Sequence, residues 1–482
     1  MAKLKPYGEY RETGLLWLDK APKHWSEIRI KDLIDNVASG IWGNEPITGS
    51  LENFTCIRVA DFNMSTFSVK SSNLTLRNIS IPNSDKRWLK KGDLLIEKSG
   101  GGEKQPVGRV IIYQEFGRAV CSNFISKISF NKTKANSKFI LYVLNMLQLR
   151  KDVLPYIKQT TGIQNLDEKA YFSQFIILPP KGEQDQIARF LDNKLFKINK
   201  FIKAKKRQIV LLKELKQAII NQAVTKGINL NVPMKDSGVE WIGEIPEHWD
   251  VRKLSNIAVI ILSGLDKKSY DGQRQVKLCN YIDVYSNHYI TNDINFMTAT
   301  AKENEIMKFS LFKGDIIITK DSESWDDIAV PAYVSEDLEN VLCGYHLAII
   351  RVNTLDVYKQ FLFKSFLSNY VAYQFNIKAK GVTRYGISYQ HIHDTMIVIP
   401  PFREQKEIVS FIINQTQTID KAIETIQKQI DLVKEYRTTL ISEVVTGKVD
   451  VRHIPVEDTD EFIEDIDGED EGIFVEKFTE EV

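Results

Sequence analysis

Two stretches of the chain decide its fold. The first, Glu183–Thr225, reads EQDQIARFLDNKLFKINKFIKAKKRQIVLLKELKQAIINQAVT, and the second, Glu404–Thr446, reads EQKEIVSFIINQTQTIDKAIETIQKQIDLVKEYRTTLISEVVT. Neither contains Pro or Gly, and each follows a Pro-Pro pair, which ends the preceding segment and favours a helix start. In both, apolar residues recur at alternating gaps of four and three, the period of a supercoiled helix pair. At ~1.5 Å per residue, each stretch forms a rod of roughly 60 Å.

The apolar positions form one seam in each stretch. They are Ile198, Ile202, Ile209, Leu212 and Ile219 in the first, interrupted by Lys205 and Lys216, and Ile419, Ile423, Ile426, Ile430 and Val433 in the second, which resumes at Leu440 and Val444. Two stiff helices with one apolar seam each most simply bury those seams against each other, as a coiled-coil spacer. The alternative is two ordinary amphipathic helices that pack on separate cores.

Composition indicates a globular protein. The chain has 482 residues, of which 43% are hydrophobic and 26% charged, and its length suggests about three domains. No signal-peptide pattern opens the sequence, and no apolar run approaches the ~18 residues of a membrane span. Four cysteines lie far apart without a C-x-x-C pair, as expected of reduced thiols rather than metal ligands or disulfides. We therefore expect a cytoplasmic protein without a membrane segment.

The net charge of +1 hides a strong asymmetry. Residues 457–482 contain thirteen acidic residues and one lysine, so the rest of the chain carries about +13. A basic body suits a polyanionic partner, and we interpret residues 451–482 as an acidic, disordered tail. The tail either keeps the protein soluble, or shields the basic surface or contacts a partner.

The chain repeats itself once. Three anchor motifs recur at an offset of 221 to 224 residues: W-x7-W at Trp17–Trp25 and Trp241–Trp249, K-G-D at Lys91–Asp93 and Lys313–Asp315, and P-P-x-x-E-Q at Pro179–Gln184 and Pro400–Gln405. Anchors in one order at nearly one offset indicate a duplicated unit of about 220 residues with pseudo-twofold symmetry.

Between the anchors the two halves read as mixed α/β bodies that differ almost completely. Residues 97–106 read EKSGGGEKQP, whereas residues 319–327 read TKDSESWDD. Short β-rich runs separated by turns predict a small twisted sheet, with one helix near Ser137–Leu149 and its counterpart near Val357–Asn369. A molecule that binds two different things at a fixed separation would have this pattern.

The ordered unit P-x-H-W, K-G-D-[LI]-[LI]-I and [LI]-P-P-x-x-E-Q, present twice over residues 14–450, resembles the DNA specificity subunit of type I restriction-modification systems. The resemblance implies two α/β target recognition domains, at 14–178 and 227–399, and two long antiparallel helices, at 179–226 and 400–450, that form the spacer. Each domain would then read one half of a bipartite, asymmetric site in double-stranded DNA.

The resemblance also implies partners. The two helices would hold two methyltransferase subunits, and restriction-translocase subunits would join that core. N6-adenine methylation and ATP-driven translocation with cleavage would belong to those partners, which use S-adenosylmethionine, ATP and Mg. We expect this chain itself to be non-catalytic and to bind no cofactor and no metal.

The candidate DNA-binding residues lie mainly on the turns that follow the K-G-D strands. Three glycines at 100–102 let the backbone approach a phosphate, and neighbouring Lys and Gln side chains are suited to phosphates or base edges. The candidates are Trp42, Lys98, Ser99, Gly101, Lys104 and Gln105 in the first body and Lys320, Ser322, Arg384 and Tyr385 in the second. The alternative is that these are flexible loops and ordinary core or surface residues. The second turn is acidic, which suits cytosine amino groups or plain solvation.

No catalytic motif stands out. Ile399-Pro-Pro-Phe402 carries Ile where the N-P-P-F motif of adenine methyltransferases needs Asn or Asp, and Thr446–Val449 lacks the flanking residues of a phosphate-binding loop. His391 and His393 have no third ligand nearby in sequence. A fused methyltransferase-endonuclease would need several hundred further residues, and a structural coiled-coil adaptor would not need two large divergent bodies. A specificity module of a different methyltransferase-nuclease assembly remains an alternative.

Overall fold

The computed structural model describes residues 5–15, 17–114, 117–160 and 162–456, so the acidic stretch 457–482 lies outside the described residues. The chain divides into two compact units: unit 1 is residues 1–206 with 428–482, and unit 2 is residues 207–427. The boundary falls inside both long helices. Each unit therefore joins one body to the adjoining parts of both helices, whereas the boundaries predicted from the sequence separate helix from body.

Unit 1 is built on a six-stranded mixed sheet. Its strands, in sheet order, are Ile34–Ser39, Ile125–Phe130, Leu94–Glu97, Val110–Ile112, Ser68–Val69 and Phe62–Asn63. Two three-stranded sheets flank it, with the orders Ala119–Cys121, Asn53–Ile57, Thr75–Asn78 and Ser99–Gly100, Ile163–Leu166, Ile157–Thr160. The strand pairs Tyr10–Leu15 with Leu18–Pro22 and Ser26–Arg29 with Phe175–Leu178, and the helices Ser137–Leu149 and Glu168–Ser173, complete the body.

Unit 2 repeats this plan around a five-stranded sheet. Its order is Ala258–Leu262, Leu347–Val352, Ile316–Thr319, Pro331–Val334 and Tyr289–Ile290. The flanking sheets are Met297–Ala301, Arg274–Cys279, Val341–Cys343 and Asp321–Ser322, Tyr385–Gly386, Lys380–Gly381, and the strand pairs are Met234–Asp236 with Glu244–Pro246 and Asp250–Lys253 with Met396–Ile399. Its short helices are Tyr281–Ser286, Glu303–Phe309, Lys359–Phe366, Asn369–Asn376 and Tyr389–His393.

The predicted mixed α/β class is confirmed. The helix predicted at Ser137–Leu149 has those bounds, with the Asn136 side chain accepting from the amides of Lys138 and Phe139 at its start. Its counterpart ends earlier than predicted, at Phe366, and a second helix begins at Asn369. Within 5–456, three short gaps aside, no helix combines the length and the apolar character needed to cross a membrane.

The two long helices span Lys181–Lys226 and Phe402–Val445. In unit 1, residues 187–202 of the first share one hydrophobic cluster with residues 433–445 of the second. In unit 2, residues 220–224 share a cluster with residues 408–412. Because the start of one helix lies beside the end of the other in each unit, the helices are antiparallel.

All of the predicted seam residues are at least partly buried. Ile198, Ile419, Ile426, Ile430, Leu440 and Val444 are buried, and Ile202, Ile209, Leu212, Ile219, Ile423 and Val433 are partly buried. In unit 2 the interrupting Lys216 is held by an ion pair with Asp420, at 2.6 Å. A charge thus occupies a seam position because an acidic residue of the facing helix meets it.

In unit 1 the P-x-H-W and P-P-x-x-E-Q motifs meet at one buried carboxylate. Glu183 accepts hydrogen bonds from Tyr7 Oη at 2.6 Å and Trp25 Nε1 at 3.0 Å, and His24 Nε2 lies 2.8 Å away. Burial raises the pKa of Tyr7 well above its usual value, and the bond to Glu183 acts in the same direction, so Tyr7 remains a donor. These contacts therefore fix the start of the long helix to the N-terminal segment of the body, between residues 7 and 25.

Unit 2 repeats this junction with one donor fewer. Glu404 accepts from Trp249 Nε1 at 2.8 Å, and His248 Nε2 lies 2.7 Å from its other oxygen. The neighbouring glutamines also match: Gln184 and Gln405 are both buried, and each donates to the carbonyl of the first Pro in its motif, at 2.9 and 2.8 Å. In both units the Glu of the E-Q pair thus contacts the P-x-H-W motif, and the Gln bonds the carbonyl of the first Pro.

The end of the second long helix, which belongs to unit 1, packs against the N-terminal part of that unit. A Cβ atom on Gly447, which has φ +74°, would lie 2.4 Å from Pro22 Cδ, so only glycine fits there. Val451 is fully buried, and Gln186 donates to the carbonyls of Val451 and Ile454. Residues 451–456, assigned to the tail from the sequence, are therefore packed against this helix pair.

Candidate nucleic-acid interface

Unit 1 contains a concavity with a volume of about 1040 Å³. Most of the DNA-binding residues predicted in this unit line it. Trp42, Ser99, Gly101, Lys104 and Gln105 are among its lining residues. They reach it from different parts of the chain. The concavity therefore brings together candidates that the sequence separates by some 60 positions.

One wall of the concavity is the glycine-rich turn at 99–105. The turn closes on itself, since Gly102 N donates to Gln105 O at 3.0 Å and Gln105 N donates back to Gly102 O at 3.1 Å. A Cβ atom on Gly101, at φ +60°, would lie 2.9 Å from Gln105 O. Glycine here makes the tight turn possible and leaves the Lys104 and Gln105 side chains exposed.

The arginines that line the concavity are already paired. Arg109 forms two bonds, of 2.8 and 3.0 Å, with the buried carboxylate of Glu97, and Arg58 bonds Asp61, which raises the pKa of Arg58. Among the described residues Lys104 has no ion-pair partner. This lysine, rather than the arginines, is therefore the cation available to a phosphate.

Lys98 is not among the lining residues. Its ammonium group donates to Ser39 Oγ, and its backbone amide donates to Phe124 O at 2.9 Å. Ser99 pairs with Asn165 in the small sheet, and their side chains are joined by a 2.7 Å hydrogen bond. The contacts of Lys98 and Ser99 thus connect the glycine-rich turn to neighbouring segments at the edge of the concavity.

In unit 2 the structure brings the predicted residues together in the equivalent small sheet. Ser322 lies opposite Tyr385 on neighbouring strands, and Ile387 N donates to Lys320 O at 3.0 Å. Arg384 is exposed at the tip of the same hairpin. The two candidate segments of this half, 320–327 and 380–386, are therefore one surface.

Aromatic side chains surround that surface, and sequence reasoning missed them. Tyr281 and Tyr285 stack with ring centroids 5.6 Å apart, and Tyr285 Oη donates to Asp327 at 2.6 Å, which raises its pKa to about 12. Lys320 Nζ lies 5.1 Å from the ring centre of Tyr345. Such rings offer contact area and hydroxyl donors, yet nothing in their spacing along the sequence marks them.

The sequence is matched twice by a single family model, the type I restriction modification DNA specificity domain. The matches cover residues 22–211 and 246–434, one in each half, and together most of the chain. The chain belongs to this family.

Named relatives of this specificity subunit agree with the family model. The specificity subunit of the type I restriction enzyme MjaVIII from Methanocaldococcus jannaschii is 26% identical over 320 residues, which is 65% of this chain and 71% of the relative. That of EcoKI from Escherichia coli K12 is 25% identical over 59% of this chain and 58% of its own length.

The fold of this specificity subunit also matches a solved structure. A chain from a study of complex assembly in a type I restriction-modification system superposes with a TM-score of 0.66, covering 89% of this chain and 99% of its own, at 12% identity. At that identity the likeness concerns the fold alone. It agrees with the two-body, two-helix architecture expected from the repeated motifs.

The lining residues of the unit 1 concavity that were not predicted include Arg58, Arg109, Asn123 and Phe124. Their separation along the chain gave no signal, because the concavity forms only when three sheets meet. His391 and His393 lie on the short helix 389–393 of unit 2, and in the part of the chain that the structure describes no cluster of His, Cys, Asp and Glu is arranged to hold a metal ion.

Proposed function

We propose that the chain reads a bipartite, asymmetric DNA site, one half with each unit, and directs partner subunits to it without catalysing a reaction itself. One observation carries the proposal. The frames of the two units share the Trp and His contacts to Glu183 and Glu404 and the Gln184 and Gln405 bonds to the Pro carbonyls, while the surfaces that those frames support differ.

The two surfaces differ in the side chains that they offer to base edges, and such differences distinguish one DNA sequence from another. Unit 1 offers amide and lysine side chains on a glycine-rich concavity, and unit 2 offers tyrosines, carboxylates and Arg384. Amides pair with adenine edges, carboxylates accept from cytosine amino groups, and arginine pairs with guanine in the major groove. Two readers with unlike chemistry favour two unlike half-sites.

Each body is fastened to the helix pair through backbone carbonyls. In unit 1, Asn199 Nδ2 donates to Ser65 O at 2.8 Å and Arg437 donates to Met64 O at 2.9 Å. In unit 2, Gln217 Nε2 donates to Leu367 O at 2.9 Å. We propose that the helices act as a stiff spacer and that helix length sets the gap between the half-sites.

The same helices have the features of docking sites for two methyltransferase subunits. Leu211 and Leu215, on the first long helix in unit 2, are 48% and 50% exposed; Leu432 and Tyr436, on the second in unit 1, are 64% and 39% exposed. The pairs have the same i, i+4 spacing and a sequence offset of 221. Two equivalent apolar patches suit two copies of one partner.

In this proposal the chemistry lies with the partners, in the cytoplasm. The two methyltransferase subunits use S-adenosylmethionine for N6-adenine methylation. Restriction-translocase subunits, with ATP and Mg, cleave DNA that lacks the mark. The chain determines the DNA sequence at which those partners act.

The decisive experiment exchanges one body. Residues 251–398 are replaced by the corresponding residues of another specificity subunit, in cells that contain the methyltransferase partner, and N6-methyladenine is mapped across the genome. We expect one half of the methylated sequence to change while the other half and the gap persist. The matched exchange of residues 28–177 should alter the other half only. A contiguous motif, or a change in both halves after either exchange, would contradict the proposal.

A further inference from the structure

A tight turn beside the unit 1 concavity is held by backbone bonds to three separate segments. Ser122 N donates to Ile57 O at 2.9 Å, Lys98 N donates to Phe124 O at 2.9 Å, and Gly40 N donates to Ile125 O at 3.0 Å. A Cβ atom on Gly40 would lie 2.1 Å from Ser122 O, so glycine is needed for this close approach. The turn is therefore a rigid platform.

Unit 2 builds the same platform. Gly344 N donates to Cys279 O at 2.8 Å, Lys320 N donates to His346 O at 2.9 Å, and Ser263 N donates to Leu347 O at 3.0 Å. Each bond matches one of unit 1 at an offset of 222 or 223 residues. The frame of the turn is thus shared, in a region where the sequences of the bodies otherwise diverge.

The residues at the tips of the two turns differ. Unit 1 presents Asn123 and Phe124, both exposed and both lining the concavity. Unit 2 presents Tyr345, which is 46% exposed, and His346, whose Nδ1 lies 2.7 Å from Asp321 Oδ2. His346 has φ +70°, a backbone conformation that is costly for a residue with a side chain.

The amide of Asn123 is chemically available. None of the described residues forms a hydrogen bond with its side chain, and the same is true of Gln105, which lines the same concavity. An Asn or Gln amide held on a rigid element can donate to N7 and accept from the N6 amino group of one adenine. The ring of Phe124 beside it suits the methyl group of thymine.

We propose that these two turns are the specificity-determining elements of the units, and that Asn123 reads an adenine in the half-site of unit 1. The inference rests on the proposed function, because it assigns a residue to one half of the proposed site. Because the backbone of the turn is shared, substitutions at its tip can change which bases are recognised without changing the fold. Tyr345 and His346 at the equivalent position present a ring hydroxyl and an imidazole, and so select different bases.

The test is Asn123→Ala in the full chain, in cells with the methyltransferase partner, with N6-methyladenine mapped by sequencing. We expect the preference for adenine to fall by about tenfold or more at one position of the unit 1 half, which the exchange of residues 28–177 identifies. The unit 2 half should be unchanged. Because Asn123 is exposed and unpaired, the melting temperature of the variant should match that of the original chain.

Tyr345→Ala is the matched variant. It should alter a position in the other half and leave the unit 1 half intact. An unchanged motif in Asn123→Ala, or a uniform loss of methylation with no change in sequence preference, would overturn the inference. The proposed function fails separately, if the original chain directs methylation to an uninterrupted motif; if that motif is split and Asn123→Ala leaves it unchanged, only the assignment of the turn fails.

Discussion

Units 1 and 2 fasten body to helix by the same junction, but unit 1 buries more of it. The side chain of Glu183 is 7% exposed and is contacted by three side chains, whereas that of Glu404 is 36% exposed and is contacted by two. Tyr7, the additional donor in unit 1, comes from the segment that also pairs with the residues after the second long helix, through the Lys5–Asp450 bridge. The two junctions therefore share their Trp and His contacts but differ in burial and in the number of donors.

The candidate DNA-binding surfaces differ between the units in another way. There the backbone frame is shared and the side chains are not, as the turns at 122–125 and 344–347 illustrate. The repeated contacts therefore mark what the fold requires, and under the proposed function the differences at matched positions determine which bases each unit binds.

The largest effect is expected at the exposed helix patches. Replacing Leu432 and Tyr436 by Asp should lower the affinity for one methyltransferase subunit by roughly a hundredfold, because a charge would be buried in an apolar interface. Replacing Leu211 and Leu215 should do the same for the other copy. Native mass spectrometry of the purified assembly gives the stoichiometry.

Controls for this experiment come from exposed leucines off the helices. Leu51→Asp and Leu355→Asp, at residues 94% and 98% exposed, should leave two copies bound. If either helix variant keeps both copies, or loses both, the assignment of one patch to each copy is wrong.

The next effect concerns the two junctions. Glu183→Ala leaves three donors without their acceptor and should destabilise unit 1 by about 3 kcal/mol, whereas Glu404→Ala should cost unit 2 about 1 kcal/mol because water reaches that site. Hydrogen exchange of the backbone amides of Trp25 and Trp249 reports each unit separately. Glutamine at either position should restore part of the loss. Equal losses would show that the extra burial in unit 1 carries no energetic weight.

The smallest effect is expected from single phosphate contacts. Lys104→Ala should weaken binding to any duplex by a few-fold and reduce the slope of log affinity against log salt by about 0.9. Lys70→Ala, at an exposed lysine of the same unit that does not line the concavity, should leave the slope unchanged. Titration of the assembly with duplex DNA at several salt concentrations distinguishes the two, and an unchanged slope for Lys104→Ala would remove this residue from the interface.

The sequence predicts the two long helices and the duplicated unit well, because both leave patterns in neighbouring or evenly offset residues. The seam positions 198–219 and 419–433 recur with a helical period, and Pro-Pro marks both helix starts. The repeat identified the P-x-H-W and P-P-x-x-E-Q motifs as matched anchors, but it did not predict that Trp and His of the first contact Glu183 or Glu404 of the second. Those contacts join residues more than 150 positions apart and leave no periodic trace.

The candidate interface was predicted only in part. The glycines at 100–102 identified one wall of the unit 1 concavity. Asn123 and Phe124, which line the same concavity, lie in a tight turn between the strands Ala119–Cys121 and Ile125–Phe130, and no local sequence pattern marks the residues of such a turn as binding residues. In unit 2 both segments of the interface were named, but their pairing through Ser322 and Tyr385 is a tertiary contact that no local pattern encodes.

The packing of Gly447 on Pro22 has a consequence for biosynthesis. The core of unit 1 includes Trp25 and residues 440–451, so that unit lacks part of its interior until the ribosome has passed residue 450. Unit 2 is one uninterrupted segment, 207–427, and all of its residues have been translated by then. Domains usually fold in the order in which they emerge. Here the body translated first completes its core last, and until then the nascent polypeptide carries an unfinished apolar surface that chaperones would have to cover.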